Sequence, residues 1–278
     1  MRRTLYISDL DGTLLDGSSR ISPRSAEIIS ELSRRGALIS VATARTPATV
    51  DPLMRHTFTT IPAITFTGAA LWDRSRRAYI DPQFIDRDSA TMILDTLHSL
   101  DINPLIYTIG SDSIIHAYYS GPVSDHLRRF AGERDNLELK RMYLNTLTRP
   151  DDAPIILIFA LGPLAPLQEA AERLRGSGRC SLSCYPDIFN RRNGYLEIFA
   201  RGVSKASAVD RLREMTGAGR LVVFGDNLND LPMMERADVA VAVAGALPAV
   251  KERADVVIGP NSADSVALFM EDDFNSQH

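Results

Sequence analysis

Two apolar runs near opposite ends of the chain lead directly into acidic turns. Residues 5–8 precede Asp-Leu-Asp-Gly-Thr at 9–13, and residues 221–224 precede Gly-Asp-Asn-Leu-Asn-Asp at 225–230. Runs rich in β-branched and aromatic residues are typical of strands buried inside a sheet. A buried strand that ends in a polar turn and continues into a helix is the repeating unit of parallel α/β folds. The pattern therefore restricts the chain to a few topologies.

The residues that follow the first turn continue this alternation of helix and strand. Ser22-Pro23 is typical of a helix start, and Gly36 of a helix end. The segments 37–43 and 62–66 then predict a second and a third strand of one parallel sheet with right-handed crossovers. Ligands of such sheets bind at the carboxyl ends of the strands. We expect one rim to carry Asp9, Asp11, Thr43, Arg45 and Thr67.

The middle of the chain has a different pattern, in which hairpins alternate with helices. Residues 104–109 and 114–118, for example, flank Gly110-Ser-Asp like the strands of a hairpin. This pattern predicts an inserted α+β domain over residues 84–190. The α/β alternation returns with a predicted strand at 195–199. The fold class is therefore α/β, a Rossmann-like parallel-sheet core formed by residues 1–83 and 191–278 with an inserted domain.

Composition and charge argue against several classes of partner. The chain has 278 residues, of which 45% are hydrophobic and 24% charged, and a formal net charge of −4. This charge gives no electrostatic reason to expect nucleic acid or an anionic membrane as the main partner. The first apolar run is interrupted at Ser8-Asp9, too early for a secretory signal. We expect a cytoplasmic protein, either a monomer or a homodimer, with Cys180 and Cys184 as structural thiols.

The acidic turns, together with one lysine and one threonine, suggest phosphoryl transfer. Asp9 and Asp11 alone could be no more than an Asp-Gly turn. Several carboxylates around one cleft repel one another unless a cation lies between them, and all-oxygen ligation suits Mg²⁺. Thr43 and Lys205 suit the oxygens of a phosphoryl group. A carboxylate nucleophile in such a site would form an aspartyl-phosphate.

The chain resembles the haloacid dehalogenase-like hydrolase superfamily in four motifs. They are Asp9-Leu-Asp11-Gly-Thr13, Thr43 in Ala-Thr-Ala-Arg, Lys205 in Gly-Val-Ser-Lys, and Gly225-Asp226-Asn-Leu-Asn229-Asp230. The insertion between the second and third motifs is similar to the α/β cap of the Cof-type (class IIB) phosphatases. The resemblance covers essentially the whole chain.

The resemblance implies a role for each motif residue. Asp9 would attack phosphorus, and Asp11 would act as general acid and then as general base. Mg²⁺ would be held by Asp9, the backbone carbonyl of Asp11 and Asp226, while Asp230 would support that site or orient Lys205. Thr43 and Lys205 would bind phosphoryl oxygens with help from Asn229, and Arg45 would reach the substrate or close against the cap.

We therefore expect a Mg²⁺-dependent phosphatase that acts on a small phosphorylated metabolite, with a sugar phosphate as the first candidate. Two alternatives stay open. A phosphomutase of the same branch would return the phosphoryl group to a sugar. A non-catalytic phosphosugar sensor would keep the pocket without the reaction, but binding alone does not require the acid–base residue Asp11 beside the nucleophile Asp9.

Overall fold

The computed structural model describes residues 3–134 and 137–277. The chain divides into two compact units, a core unit of Met1–Asp81 with Ser204–His278 and an inserted unit of Pro82–Val203. The core was predicted to comprise residues 1–83 and 191–278. Of these, residues 1, 2 and 278 lie outside the described residues.

Strands and helices alternate through most of the chain. The strands are β1 (Thr4–Ser8), β2 (Leu38–Val41), β3 (Ala63–Thr65), β4 (Ala70–Asp73), β5 (Ala78–Ile80), β6 (Leu105–Ile109), β7 (Ile115–Tyr119), β8 (Lys140–Leu144), β9 (Ile155–Pro163), β10 (Cys180–Pro186), β11 (Asn193–Ala200), β12 (Arg220–Gly225), β13 (Val239–Ala242) and β14 (Val256–Val257). The helices are α1 (Pro23–Arg34), α2 (Pro47–Met54), α3 (Arg87–His98), α4 (Asp125–Gly132), α5 (Leu164–Ser177), α6 (Lys205–Thr216), α7 (Leu231–Met234), α8 (Pro248–Lys251) and α9 (Ser265–Ser276).

The core unit contains the predicted parallel sheet. Its strand order is β14-β13-β12-β1-β2, and every neighbouring pair is parallel. All five residues of β1 are buried, as expected for an internal strand covered on both faces. Because β1 and β12 are neighbours with Ser8 opposite Phe224, the two acidic turns leave the sheet side by side.

The prediction that residues 62–66 form a third strand of this sheet was wrong. The strand β3 pairs antiparallel with β4 in a separate sheet of order β3-β4-β5. Just after β2, Ala42 forms a parallel bridge with Ile64, and the N–H of Thr43 donates to the carbonyl of Ile64 at 3.0 Å. The parallel contact is therefore present but short, and β3 pairs along its length with its local hairpin partner β4.

The strand predicted at 195–199 lies in the inserted unit, although we expected it in the core. It is part of β11, which pairs antiparallel with β9 and with β10. The division between the units therefore falls between Val203 and Ser204, and the boundary expected at residues 190 and 191 lies inside the β10–β11 hairpin. The apolar alternation of residues 195–199 fits either sheet, so periodicity alone could not assign the strand.

The inserted unit has a six-stranded sheet of order β10-β11-β9-β6-β7-β8. Helices α3 and α5 cover one face through a cluster that includes Leu97, Leu174 and Ile198. Since residues alternate between faces along a strand, Phe159 lies on the face opposite Ile158, and α4 packs there through Phe130. Cys180 and Cys184 are free thiols on β10. Within the described part of the chain, no helix combines the length and apolar character needed to span a bilayer.

Helix α9 is tied to the core sheet by an ion pair, which gives a stability prediction. Asp273 accepts hydrogen bonds from Tyr6 Oη at 2.7 Å and from Arg220 Nη1 and Nη2 at 2.6 and 2.9 Å. We expect Asp273→Ala to lower the free energy of unfolding by about 3 kcal/mol, because it leaves partly buried donors unpaired. The matched change Asp272→Ala, at an exposed position of the same helix, should cost less than about 0.5 kcal/mol. Equal denaturant midpoints for the two variants would contradict the assigned role.

Candidate active site

The turn after β1 depends on Gly12. The backbone leaves the strand at Asp9 and makes a turn over Leu10–Leu14, closed by a hydrogen bond from the N–H of Leu15 to the carbonyl of Leu10 at 2.8 Å, and Gly12 within this turn has φ +83°. A Cβ at this position would lie 2.5 Å from Oδ2 of Asp226. Glycine is therefore required both for the left-handed backbone conformation and for the close approach of Asp226.

Asp9 and Asp11 have different environments, although they lie two residues apart. The strand β1 ends at Ser8, so both acids lie in the turn that follows it. The Asp9 side chain is 9% exposed, whereas the Asp11 side chain is 53% exposed. The backbone N–H of Asp9 donates to the carbonyl of Phe224 at 3.0 Å, which joins the ends of β1 and β12.

Lys205 is a buried cation that bridges two carboxylates. It is the first residue of α6, whose N-cap Ser204 accepts a hydrogen bond from the N–H of Ser207 at 3.0 Å. The Lys205 side chain is 2% exposed, and its ammonium donates to Oδ1 of Asp9 and, at 2.8 Å, to Oδ1 of Asp230. Burial alone would lower the pKa of Lys205, but the two carboxylates together raise it. Lys205 is therefore held in its charged form.

Asp230 connects this lysine to the second acidic turn. It is fully buried, and its Oδ2 accepts the backbone N–H groups of Asp226 and Asn227 at 3.1 Å each. With Lys205 on its other oxygen, Asp230 fixes both the turn and the ammonium. Burial of a carboxylate is tolerated when its oxygens are paired in this way.

Asp226 is oriented by Thr13, a contact that the sequence did not reveal. Thr13 is fully buried, and its Oγ1 donates to Oδ1 of Asp226 at 2.9 Å. Burial raises the pKa of Asp226, and the hydrogen bond from Thr13 opposes that change. The signal available in the sequence was a hydroxyl at the end of the first motif, but nothing in the spacing named its partner.

The carboxylates of the two turns fit a divalent cation. Asp9, Asp226 and Asp230 each offer one oxygen, and these oxygens lie within 4.8 Å of one another. Burial raises the pKa of Asp9, as does the negative charge of Asp230, while Lys205 lowers it. An all-oxygen donor set with excess negative charge suits Mg²⁺. The exposed carboxylate of Asp11 is not part of this cluster.

Arg45 holds the carboxylate of Asp11. Its Nε donates to Oδ2 at 2.7 Å and its Nη2 to Oδ1 at 2.6 Å, a bidentate pair. These hydrogen bonds raise the pKa of Arg45. The backbone N–H of Arg45 donates to Oγ1 of Thr43 at 3.1 Å, and Thr43 is 1% exposed. The resemblance implied a contact of Arg45 with the substrate or with the cap, and no spacing rule in the sequence links Arg45 to Asp11.

Two further predicted residues have fewer contacts. Asn229 is exposed on a 3₁₀ turn over Leu228–Asp230, and its side chain forms no hydrogen bond with any residue that the structure describes. Thr67 has φ +56°, and its N–H donates to the carbonyl of Thr43 at 3.0 Å. The structure thus links Thr67 to Thr43 through the backbone and leaves Asn229 at the surface.

Comparison with known proteins gives matches along nearly the whole chain. A family model described as haloacid dehalogenase-like hydrolase matches residues 6–270. Pyridoxal phosphate phosphatase YbhA of Escherichia coli (strain K12) is 26% identical over 275 residues, which cover 94% of this chain and 95% of that protein. The 5-amino-6-(5-phospho-D-ribitylamino)uracil phosphatase YcsE of Bacillus subtilis (strain 168) is 24% identical, with coverage of 95% and 92%.

Solved structures agree with the fold. TM0651 from Thermotoga maritima aligns with a TM-score of 0.75 at 25% identity, covering 98% of this chain and 97% of that one. The subclass IIB sugar phosphatase BT4131 aligns with a TM-score of 0.72, covering 97% and 98%, and its identity of 19% supports the fold alone.

Proposed function

This chain belongs to the haloacid dehalogenase-like hydrolase family and is a phosphatase, and we propose that it uses Mg²⁺ and an aspartyl-phosphate at Asp9 to hydrolyse a small phosphomonoester. The observation that carries this proposal is the buried Lys205 between Asp9 and Asp230, beside Asp226. A fixed cation next to a buried carboxylate at the carboxyl ends of parallel strands is suited to phosphoryl transfer.

Asp9 is the nucleophile in this proposal. It attacks phosphorus in line with the leaving oxygen, so that the bond from phosphorus to the substrate oxygen breaks as the bond to the Asp9 carboxylate forms. Lys205 and Thr43 supply donors fixed in advance for the phosphoryl oxygens, which is how such sites lower the barrier. Asp230 keeps Lys205 in place through its hydrogen bond.

Asp11 carries the protons. It gives a proton to the leaving oxygen and then takes one from the water that hydrolyses the aspartyl-phosphate. Its carboxylate is exposed to solvent, whereas that of Asp9 is buried. Both oxygens of this carboxylate accept hydrogen bonds from Arg45, so one of these bonds has to break before Asp11 can carry a proton. In the proposal, Arg45 then becomes free to contact the substrate.

The metal site completes the arrangement. The residues that would hold Mg²⁺ are Asp9, Asp226 and the backbone carbonyl of Asp11, with Asp230 as support and Thr13 orienting Asp226. When bound, Mg²⁺ neutralises the repulsion between a carboxylate nucleophile and a phosphate dianion. The oxygen-only donor set favours this ion over softer metals.

The substrate class we propose is a small phosphomonoester in the cytoplasm, with sugar phosphates tested first. Two relatives described above are named as phosphatases of other esters, pyridoxal phosphate and a phosphoribityl derivative of an aminouracil. A panel for the first assay should contain all three kinds of ester.

Removal of the metal tests the proposal. We expect phosphate release from the best substrate of the panel to fall at least about 100-fold after dialysis against a chelator, since the metal provides several kcal/mol of charge stabilisation. Addition of Mg²⁺ should restore it. Full turnover by the chelated protein would contradict the metal requirement.

The same assay separates the alternatives. A phosphomutase would convert a sugar phosphate to its isomer without free phosphate. A sensor would bind esters and release nothing above the level of an Asp9→Asn variant. Free phosphate released with Mg²⁺, and lost with Asp9→Asn, is the result that the phosphatase proposal expects.

A further inference from the structure

Phe66–Gly68, which we call the left-handed segment, has positive φ at three consecutive residues. The values are +51°, +56° and +104°. Positive φ is costly for a residue with a Cβ, and most of all for a β-branched or bulky one, as Thr67 and Phe66 are. Among the described residues, no other two adjacent non-glycine residues share it. Such a backbone persists only where its surroundings hold it, and it is concentrated at functional sites.

The left-handed segment holds the loop that follows β2. The N–H of Phe66 donates to the carbonyl of Arg45 at 3.0 Å, and the N–H of Thr67 donates to the carbonyl of Thr43 at 3.0 Å. The N–H of Thr43 in turn donates to the carbonyl of Ile64 at 3.0 Å. Both backbone polar groups of Thr43 are therefore fixed by β3 and the segment that follows it.

The same segment packs against the start of α6. A Cβ on Gly68 would lie 2.1 Å from the carbonyl oxygen of Ser204 and 3.2 Å from Cβ of Ala208. No side chain fits in that space, so glycine is required here for the close approach as well as for the positive φ. Ser204 is the N-cap of α6, and Lys205 is the next residue. The segment thus touches the helical turn from which the Lys205 ammonium extends.

Arg211 ties the segment to this helix. Its Nη2 donates to the carbonyl of Gly68 at 2.7 Å, and its Nε lies 3.0 Å from Oδ2 of Asp81. Hydrogen bonds from a charged donor are stronger than those between neutral groups. Because Arg211 is itself on α6, the helix that carries Lys205 binds the segment at two points. The segment therefore lies between the loop after β2 and the start of α6, with polar or close backbone contacts to both.

We propose that the left-handed segment sets the spacing between Thr43 and Lys205, and that Thr67 and Gly68 are positioning residues for these two donors. The inference rests on the proposed function, which assigns Thr43 and Lys205 to the phosphoryl oxygens. Fixed donors lower a barrier only while their geometry holds, and a misplacement of about 1 Å can cost about 100-fold in rate. If the segment served packing alone, disturbing it would change stability and leave the rate of the folded protein unchanged.

Gly68→Ala tests the inference through kinetics, since the new Cβ has to displace either α6 or the segment. We expect kcat for p-nitrophenyl phosphate to fall about 100-fold while KM changes less than about threefold, because the donors act mainly on charge that develops in the transition state. The matched control is Gly36→Ala, at φ +98° after α1, where a Cβ would meet open space. It adds similar backbone strain away from the segment and should keep full kcat. Unchanged kcat in folded Gly68→Ala, or an equal loss in both variants, would overturn the inference.

The NMR signal of the Lys205 ammonium gives a measurement that is independent of catalysis. The chain contains three lysines, so ¹⁵N-lysine labelling gives few side-chain signals, and the one lost in Lys205→Arg belongs to Lys205. The ¹⁵N shift of an ammonium depends on its hydrogen bonds, which here go to Asp9 and Asp230. We expect Gly68→Ala to move this signal and Gly36→Ala to leave it in place. A signal that Gly68→Ala does not move would contradict the inference. If the chain hydrolyses no phosphomonoester, the proposed function fails while the NMR signal still shows whether the segment positions Lys205.

Arg211→Met provides the test if Gly68→Ala does not fold. It removes the donor to the Gly68 carbonyl without adding a Cβ, and we expect kcat to fall about tenfold and the Lys205 signal to move. The control Arg213→Met, on the same helix, instead breaks an ion pair with Asp238 and should keep full kcat and an unmoved signal. Equal kcat for these two arginine variants would overturn the inference.

Discussion

Asp9→Asn should reduce phosphate release roughly 10⁴-fold or more, because it replaces the nucleophilic carboxylate by a neutral amide. An amide has nearly the same shape as the carboxylate, and Asp230 still accepts a hydrogen bond from Lys205 at 2.8 Å. We therefore expect the variant to fold. Steady-state phosphate release with Mg²⁺ is the measurement, and the unfolding transition shows whether the fold is intact.

The matched control is Asp272→Asn, which makes the same chemical change at an exposed position of α9. It should keep full activity. If Asp9→Asn retained more than about a tenth of the turnover, another group would have to be the nucleophile.

Asp11→Asn should reduce the turnover of alkyl phosphates roughly 10²- to 10⁴-fold, the range of general acid–base catalysis. Its affinity for Mg²⁺ should hardly change, since the proposed ligand is the backbone carbonyl. With p-nitrophenyl phosphate, whose leaving group needs no proton, we expect a rapid burst of about one nitrophenolate per site followed by slow turnover.

Stopped-flow absorbance and a calorimetric Mg²⁺ titration measure these two properties. Unchanged turnover of alkyl phosphates would contradict the general-acid role of Asp11. A large loss of Mg²⁺ affinity would instead place its carboxylate among the metal ligands.

The parts of the fold that the sequence predicted correctly depend on local patterns. The apolar runs at β1 and β12 each match one strand of the parallel sheet, and the turn that follows each run brings its acids to the same edge. Hydrophobic periodicity and turn residues are local signals, so they need no knowledge of partners. The prediction of a carboxylate cluster followed from them.

The errors depend on pairing between strands. The strand β3 and the segment at 195–199 were recognised as strands but assigned to the wrong sheets. A three-residue strand and an alternating apolar segment contain no information about which edge they join. Pairing is decided by packing and by the lengths of the connections, which a single sequence does not display.

Side-chain contacts in the site were the least predictable feature. Thr13 and Asp226 are joined by a hydrogen bond across 213 positions, and Arg45 and Asp11 across 34. The sequence shows these residue types, and the polar residues that follow each predicted strand indicate a polar rim at the carboxyl ends of the strands. The partners became evident only when the backbone fixed their distances.

A crystal structure of the chain grown with Mg²⁺ and beryllium fluoride would test the central claim most directly, because BeF₃⁻ binds carboxylates in the place of a phosphoryl group. We predict BeF₃ on the carboxylate of Asp9, Mg²⁺ in contact with Asp9, Asp226 and the carbonyl of Asp11, and Lys205 Nζ donating to fluorine. A fluoride adduct on Asp11, or Mg²⁺ bound away from Asp9 and Asp226, would contradict the account.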